Sequence, residues 1–506
     1  MNEPVIEERS LSELSADLAA GRTSAQALVA QYLERIDSLD RHGPCLASVI
    51  EVNPDAHAIA RALDNERSAG RTRGPLHGIP VLIKDNIATR DRMATTAGSL
   101  ALVGSMPPED AFLVRRLRAA GAIILGKTNM SEWANGRSLQ SSSGWSARGG
   151  LTRNPYVLDR SASGSSSGSA VAVAASLCAA AVGTETDGSI LSPASVCGVV
   201  GMKPTVGLVS RHGVIPISHS LDTPGPLARN VRDCALLLGA LSGEDPRDTA
   251  TCDGAAQRLD DYAAGLDGES LRGARLGVAR QFFAFHDLLE PAYPPMLAAL
   301  ERAGAVLVDP VTLPDLDRLG AAKRTVLLYE MKAGLNAYLQ GLGPNAPVRS
   351  LVDIIAFNQR NAAREMPWFS QDIFLMAQAK GPLSDAEYRE ALAACRHIAC
   401  TDGIEAVLRE HRLDALIAPT AGPAWCTDLL LGDHAVGGST SPAAAAGTPS
   451  ISVPAGNTHG LPLGLSFFGG AWSEMRLLSL AYAFEQATRA RLKPRYLPRM
   501  ESLPPS

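Results

Sequence analysis

Gly164-Ser165-Ser166-Ser167-Gly168-Ser169, the Ala/Val run behind it, and Gly183-Thr184-Glu185-Thr186-Asp187-Gly188-Ser189 together decide how this chain is read. The residues from Gly168 to Cys178 are small and suit a helix packed closely against its neighbours; at about 1.5 Å per residue it carries the chain roughly 15 Å away. Ala179 to Gly183 can return as a strand, at about 3.3 Å per residue, over a similar distance. Ser165 and Ser189 can therefore meet at one end of a helix–strand unit, beside the free N–H groups and positive pole of the helix. Upstream, Gly78-Ile79-Pro80-Val81-Leu82-Ile83-Lys84 reads as a buried strand with Lys84 as its only ionisable side chain. A lysine of ordinary pKa about 10.4 can be neutral near pH 7 once stripped of water, and a serine beside such a base can act as a nucleophile. The consecutive backbone N–H groups of Thr186, Asp187 and Gly188 could form an oxyanion hole, with Gly188 letting the backbone approach a carbonyl. The pattern points to hydrolysis of an amide or ester without histidine, metal or cofactor.

Around this centre helices and strands alternate. Ala25 to Leu39 carries apolar residues near a 3.6 period, Cys45 to Val52 is β-rich, and Asn53-Pro54 opens a helix to about Ala69. Glu109 to Ala120 reads as a helix and Ala122 to Leu125 as a strand. From about Arg275 a strand–helix–strand unit gives way to long helices, about Ala321 to Tyr338 and Ser384 to Glu410. Strands return at Asp414 to Ala418, Ser450 to Pro454 and Gly464 to Phe468, followed by a helix from about Ser473 to Arg489. Ser242 to Gly273, polar and rich in Gly and Asp, reads as a linker or surface excursion. The expectation is an α/β fold: one large mixed β-sheet covered by helices on both faces, with a helical insertion. A single domain over 1–506 is expected, with a core at 70–240, a mainly helical substrate-side region at 275–413 and a return to the core sheet at 414–495.

Two motifs compete with this reading. Gly121-Ala-Ile-Ile-Leu-Gly126-Lys127-Thr128 matches a P-loop string, but Ala-Ile-Ile-Leu reads as the strand itself rather than as a phosphate-wrapping loop. Gly164-Ser165-Ser166-Ser167-Gly168 matches a nucleophile elbow at Ser166, but the residues before it, Val157 to Ser163, are loop-like where that motif needs an apolar strand.

The 506 residues are 46% hydrophobic and 20% charged with a net charge of −5, so no basic face recommends nucleic acid or an anionic membrane as partner. Ala170 to Gly183 is too short to span a bilayer, and the acidic start Met1-Asn-Glu-Pro-Val-Ile-Glu-Glu-Arg lacks the apolar core of a signal peptide, so a cytoplasmic enzyme is expected. Eight scattered cysteines read as free thiols in a reducing compartment.

At these residues the chain resembles the amidase signature family of Ser-cisSer-Lys hydrolases. The likeness extends to Lys84-Asp85-Asn86, Gly126-Lys127-Thr128-Asn129, Asn154-Pro155, Gly201-Met-Lys-Pro-Thr205 and Gly447-Thr-Pro-Ser-Ile-Ser-Val-Pro454. It implies Ser189 as nucleophile, Ser165 as a bridging serine held by a cis peptide after Gly164, and Lys84 as base. It also implies an oxyanion hole from Thr186, Asp187 and Gly188. Ser163, Asp187 and Leu191 depart from the family's usual Gly, Gly and Arg, and Asp187 sets a carboxylate beside a developing negative charge. Ser131-Glu-Trp-Ala-Asn135 and Gly144-Trp-Ser-Ala-Arg-Gly149 resemble the bacterial peptide amidases within the family, which implies C-terminal amides of peptides as substrates and a monomer or homodimer. The alternatives are a broad aryl or aliphatic amidase and the amide-hydrolysing component of a glutamine-dependent amidotransferase. Trp145 and Ser166, with the stretch Gly437 to Gly447, stand as candidate substrate contacts.

Overall fold

The computed structural model of the chain describes residues 5–283 and 286–500; Met1 to Pro4, on which part of the leader reading rests, lie outside them. The strands, in chain order, are β1 Val49–Val52, β2 Pro80–Lys84, β3 Ile123–Thr128, β4 Trp145–Ser146, β5 Gly150–Leu151, β6 Ala180–Glu185 and β7 Val200–Lys203. They continue with β8 Thr223–Ala228, β9 Arg275–Ala279, β10 Val306–Val311, β11 Ala415–Pro419, β12 Ser450–Thr458 and β13 Leu461–Phe468. β4 and β5 form a small hairpin. The other eleven make one mixed sheet in the order β1-β3-β2-β6-β8-β7-β12-β13-β11-β9-β10. Strands from both ends of the chain meet where β7 pairs with β12.

The sequence explains why this sheet is buried. β2, β3, β6, β8, β11 and β13 have no solvent-exposed residue, as expected of strands covered on both faces. Helices Ser167–Ala174 and Leu191–Val196 touch each other and pack on β6 and on β7, β12 and β13. Helices Val231–Leu241 and Glu474–Thr488 form a second packed pair, on β8 and β12.

The Ser167–Ala174 helix is buried along its whole length, and its small residues make that possible. A Cβ on Gly168 would stand 2.3 Å from the Ser48 carbonyl oxygen and 2.4 Å from that of Asn129. The helix therefore rests directly on backbone flanking the strands, Ser48 just before β1 and Asn129 just after β3. β2, β3 and β6 are parallel neighbours, with Ile83 opposite Val182. Lys84 thus ends its strand beside Gly183 and Thr184, at the carboxyl edge where parallel sheets commonly build sites.

As expected, the P-loop string is mostly strand: Gly121 and Ala122 precede β3, which runs past the expected end at Leu125 to Thr128, and Lys127 is fully buried and donates to Thr95 Oγ1 at 2.9 Å and to the Ile87 carbonyl. Other expectations shift. The first long insertion helix spans Leu316–Gly341. The second breaks into Ala386–Arg396, a wider turn His397–Ile404 and Glu405–His411, with Gly403 departing from helical angles. The Ser242 to Gly273 stretch is not a free linker: Tyr262 is buried in the core, and a Cβ on Gly254 would overlap the Trp472 ring. β7 and β8 are strands that the sequence pattern does not announce.

The close approach at Gly168 makes a stability prediction. Gly168→Ala forces backbone apart and should cost about 3 kcal/mol, at the upper end for an overpacked core. Gly320→Ala, in an exposed helix interior with nothing within 4 Å of the added Cβ, should instead stabilise by about 0.5–1 kcal/mol. Thermal midpoints that move in these opposite directions support the packing described; a neutral Gly168→Ala contradicts it.

Candidate active site

Lys84 enters the interior on β2 and has no solvent-exposed surface. Its Nζ lies among four oxygens: Ser165 Oγ at 2.8 Å, Thr184 Oγ1 at 2.9 Å, Ser166 Oγ at 3.0 Å and the Thr184 carbonyl at 3.1 Å. Burial pushes its pKa down to about 7, against the pull of the more distant carboxylates of Asp222 and Glu185. None of the four neighbouring oxygens is a carboxylate, so the environment solvates the amine without fixing its charge.

The two serines beside Lys84 differ. The Ser166 hydroxyl donates to the Thr184 carbonyl at 3.0 Å and accepts from the Thr184 N–H at 3.2 Å, so its hydrogen bonds are spent on holding the site together. Among the described residues the only hydrogen-bond partner of Ser165 Oγ is Lys84 Nζ, which leaves the serine's own proton uncommitted. The Gly164–Ser165 peptide is cis, and the Ser165 carbonyl accepts from the Ser131 N–H at 3.1 Å. A Cβ on Gly164 would lie 2.2 Å from Ser131 Oγ, so only glycine fits. Ser163, where the family commonly has Gly, adopts a left-handed φ of 57°.

Ser189 is brought to the same place by the next loop. The Ser166 N–H donates to the Ser189 carbonyl at 3.1 Å, tying the two loops together. Lys84 and Ser165 are sealed, whereas Ser189 keeps 8% of its surface and is the member of the trio that solvent reaches. Before it, Thr186, Asp187 and Gly188 carry backbone N–H groups with no protein acceptor among the described residues, and Gly188 has φ +77°. Consecutive free donors of this kind suit a developing oxyanion.

The loop is braced by carboxylates that the linear sequence does not mark. Glu185, fully buried, accepts from the Ile190 N–H at 2.7 Å and the Leu191 N–H at 3.0 Å, fixing the turn after Ser189. Burial raises its pKa, and the buried Lys203 ammonium opposes that. Leu191, standing where Arg is common, is itself buried, so backbone donors and Lys203 serve this carboxylate. Asp222 accepts from Thr186 Oγ1 at 2.6 Å and from the N–H groups of Ile217 and Ser218; burial pushes its pKa up to about 6. The Asp187 carboxylate accepts from Thr440 Oγ1 at 2.8 Å and Ser441 Oγ at 2.6 Å and ion-pairs with Lys323. Burial raises its pKa, but Lys323 and these hydrogen bonds outweigh burial and hold it below the usual range.

A cavity of about 370 Å³ opens beside the loop, lined in part by Asn86, Ala134, Thr184, Thr186, Ile217 and Asp222. Of the expected substrate contacts, neither Ser166 nor Trp145 lines this cavity. Ser166 is sealed against Lys84. Trp145 is buried edge-on against Phe369, ring centroids 5.3 Å apart, with the Arg137 guanidinium 5.7 Å from its own ring and 4.3 Å from that of Phe369.

The sequence model of the amidase family matches residues 27–478. The chain is 42% identical over 502 residues to a probable amidase of Arabidopsis thaliana, covering 97% of this chain and 92% of that protein. It is 37% identical to a component of the glutamyl-tRNA(Gln) amidotransferase of Moorella thermoacetica, covering 94% and 96%. Among solved structures, native peptide amidase from Stenotrophomonas maltophilia superposes with a TM-score of 0.92 at 52% identity, covering 97% of this chain and 99% of that one.

A lysine poised near neutrality has a kinetic signature. Labelling of Ser189 by a fluorophosphonate should accelerate about tenfold per pH unit as pH rises toward about 7 and level off above it, because only neutral Lys84 accepts a proton. A rate that does not change between about pH 5.5 and about pH 8.5 would show that Lys84 does not gate the serine.

Proposed function

The chain belongs to the amidase family, and from that premise we propose that it deamidates the C-terminal carboxamide of peptides through an acyl-enzyme on Ser189. Hydrolysis of amide C–N bonds is the family's activity; the residue roles and the peptide substrate are the further step. The observation that carries the roles is the asymmetry at Lys84, where Ser166 spends its proton on structure and Ser165 keeps its own available.

In this mechanism Ser189 Oγ attacks the amide carbon while its proton passes to Ser165 Oγ, and the proton of Ser165 passes to neutral Lys84. The carbonyl oxygen becomes an oxyanion and is held by the N–H groups of Thr186, Asp187 and Gly188; each such donor is worth about 10²–10³ in rate. Lys84 returns its proton through Ser165 to the departing nitrogen, the C–N bond breaks, and ammonia leaves. Water, deprotonated by the same relay, then attacks the acyl ester, releasing a carboxylic acid and restoring Ser189.

The peptide amide is favoured by the 52% identity to a peptide amidase over nearly the whole of both chains. The comparable coverage of a glutamyl-tRNA(Gln) amidotransferase component keeps glutamine as a second substrate worth assaying.

Ser189→Ala should abolish turnover while leaving the thermal midpoint unchanged; full residual activity would remove Ser189 from its role. The intact enzyme should release ammonia from a peptide amide faster than from an aryl amide or free glutamine. Mass spectrometry should show a gain of about 1 Da per peptide and intact internal bonds, since one NH₂ is replaced by OH. Glutamine as the preferred substrate would overturn the peptide assignment.

A further inference from the structure

We propose that Lys323 is a positioning residue of the oxyanion loop: it neutralises the Asp187 carboxylate and holds it off the site where the oxyanion forms. The inference rests on the reading of Ser189 as nucleophile and goes beyond it, because Lys323 lies 134 positions away from Ser189 on the insertion helix Leu316–Gly341.

An acid in this loop is a liability. Asp187 contributes one of the free N–H groups, so its side chain starts within one residue of the point where negative charge develops. Two like charges about 5 Å apart in a medium of effective dielectric about 20 repel enough to cost on the order of 100-fold in rate. Here the carboxylate is held at both oxygens. Oδ1 accepts from Thr440 Oγ1 at 2.8 Å. Oδ2 accepts from Ser441 Oγ at 2.6 Å and from Lys323 Nζ. Lys323 Nζ also donates to Ser441 Oγ at 2.7 Å, so ammonium, hydroxyl and carboxylate close a triangle. A Cβ on Gly188 would stand 3.0 Å from Thr440 Oγ1, which shows how closely the loop lies against the same segment.

The arrangement makes the insertion part of the catalytic apparatus. Lys323 also flanks a cavity of about 720 Å³ lined in part by Leu139, Leu316, Leu327, Leu328, Ile373 and Met376, so a role in shaping substrate space must be distinguished from a role through charge.

Steady-state kinetics on the full chain with a peptide amide separate the two. Lys323→Met should lower kcat about 10- to 100-fold with KM changed less than about threefold, because the uncompensated charge acts when the oxyanion forms. Lys323→Arg should keep most of the activity. Adding Asp187→Asn to Lys323→Met should recover at least about tenfold of the loss, since it removes the charge that Lys323 balanced. An unchanged kcat in Lys323→Met, a change confined to KM, or a loss that Asp187→Asn does not relieve would each overturn the proposal. The Lys323→Arg and double variants keep the test informative if Lys323→Met alone folds poorly. Ser189→Ala serves as the reference: turnover surviving in it would overturn the underlying mechanism, a result distinct from an indifferent Lys323 in an enzyme that Ser189→Ala silences.

Discussion

The structure depends on keeping one amine out of water. Desolvation disfavours the ammonium form of Lys84, and the depressed pKa is the energetic trace of that cost. An acid in direct contact would cancel the effect by stabilising the charge. The nearest partners are instead two serine hydroxyls, a threonine hydroxyl and a carbonyl, while the acids of the region, Glu185 and Asp222, are occupied by other donors. The site thus separates two tasks. Neutral oxygens satisfy the hydrogen-bonding capacity of the lysine, and carboxylates further out brace the loops.

Such a site requires a fold that can bury a strand end and bring two loops to it. The mixed sheet supplies the first, since β2 lies between β3 and β6 and is covered by helices. The Ser167–Ala174 helix supplies the second. A helix of ordinary side chains would stand further from the sheet, and the serine loop at its N-terminus would no longer meet the loop after β6 at Lys84. Gly164 and Gly168 are the points where backbone meets side chain or backbone with no room for a methyl group. The small-residue run is therefore a distance constraint, and the catalytic geometry is its consequence.

This also explains what could be read from the sequence. The lysine strand, the serine loops and the small helix are local in the chain, and their composition states their burial directly. β8 is illegible because Thr223-Pro224-Gly225-Pro226 carries turn signals, and prolines are uncommon in central strands for want of an N–H. It is nevertheless held between β6 and β7, in a register that places Pro226 opposite Val182 and Pro224 opposite Thr184. The tertiary ladder overrides the local preference. Trp145 reads as a candidate substrate contact in the sequence; of the two side chains that cover it, Arg137 is close in the chain, but Phe369 lies more than two hundred positions away. The partners of Asp187 are equally hidden, as Lys323, Thr440 and Ser441 lie 136 to 254 positions away.

Asp187 brings these strands of argument together. Taken from the sequence alone, it conflicts with its surroundings, since an acid borders a site built to stabilise an anion. In the fold it is the anchor through which the insertion helix and the Thr440–Ala446 helix grip the loop that presents the free N–H groups. A glycine in its place would avoid the repulsion but leave the loop without that grip. An aspartate matched to a lysine gains the tether, and its charge is balanced provided the insertion is docked. The same residue thus makes loop order conditional on the correct placement of a segment more than a hundred residues away, which is how a site built from local loops becomes dependent on the whole chain.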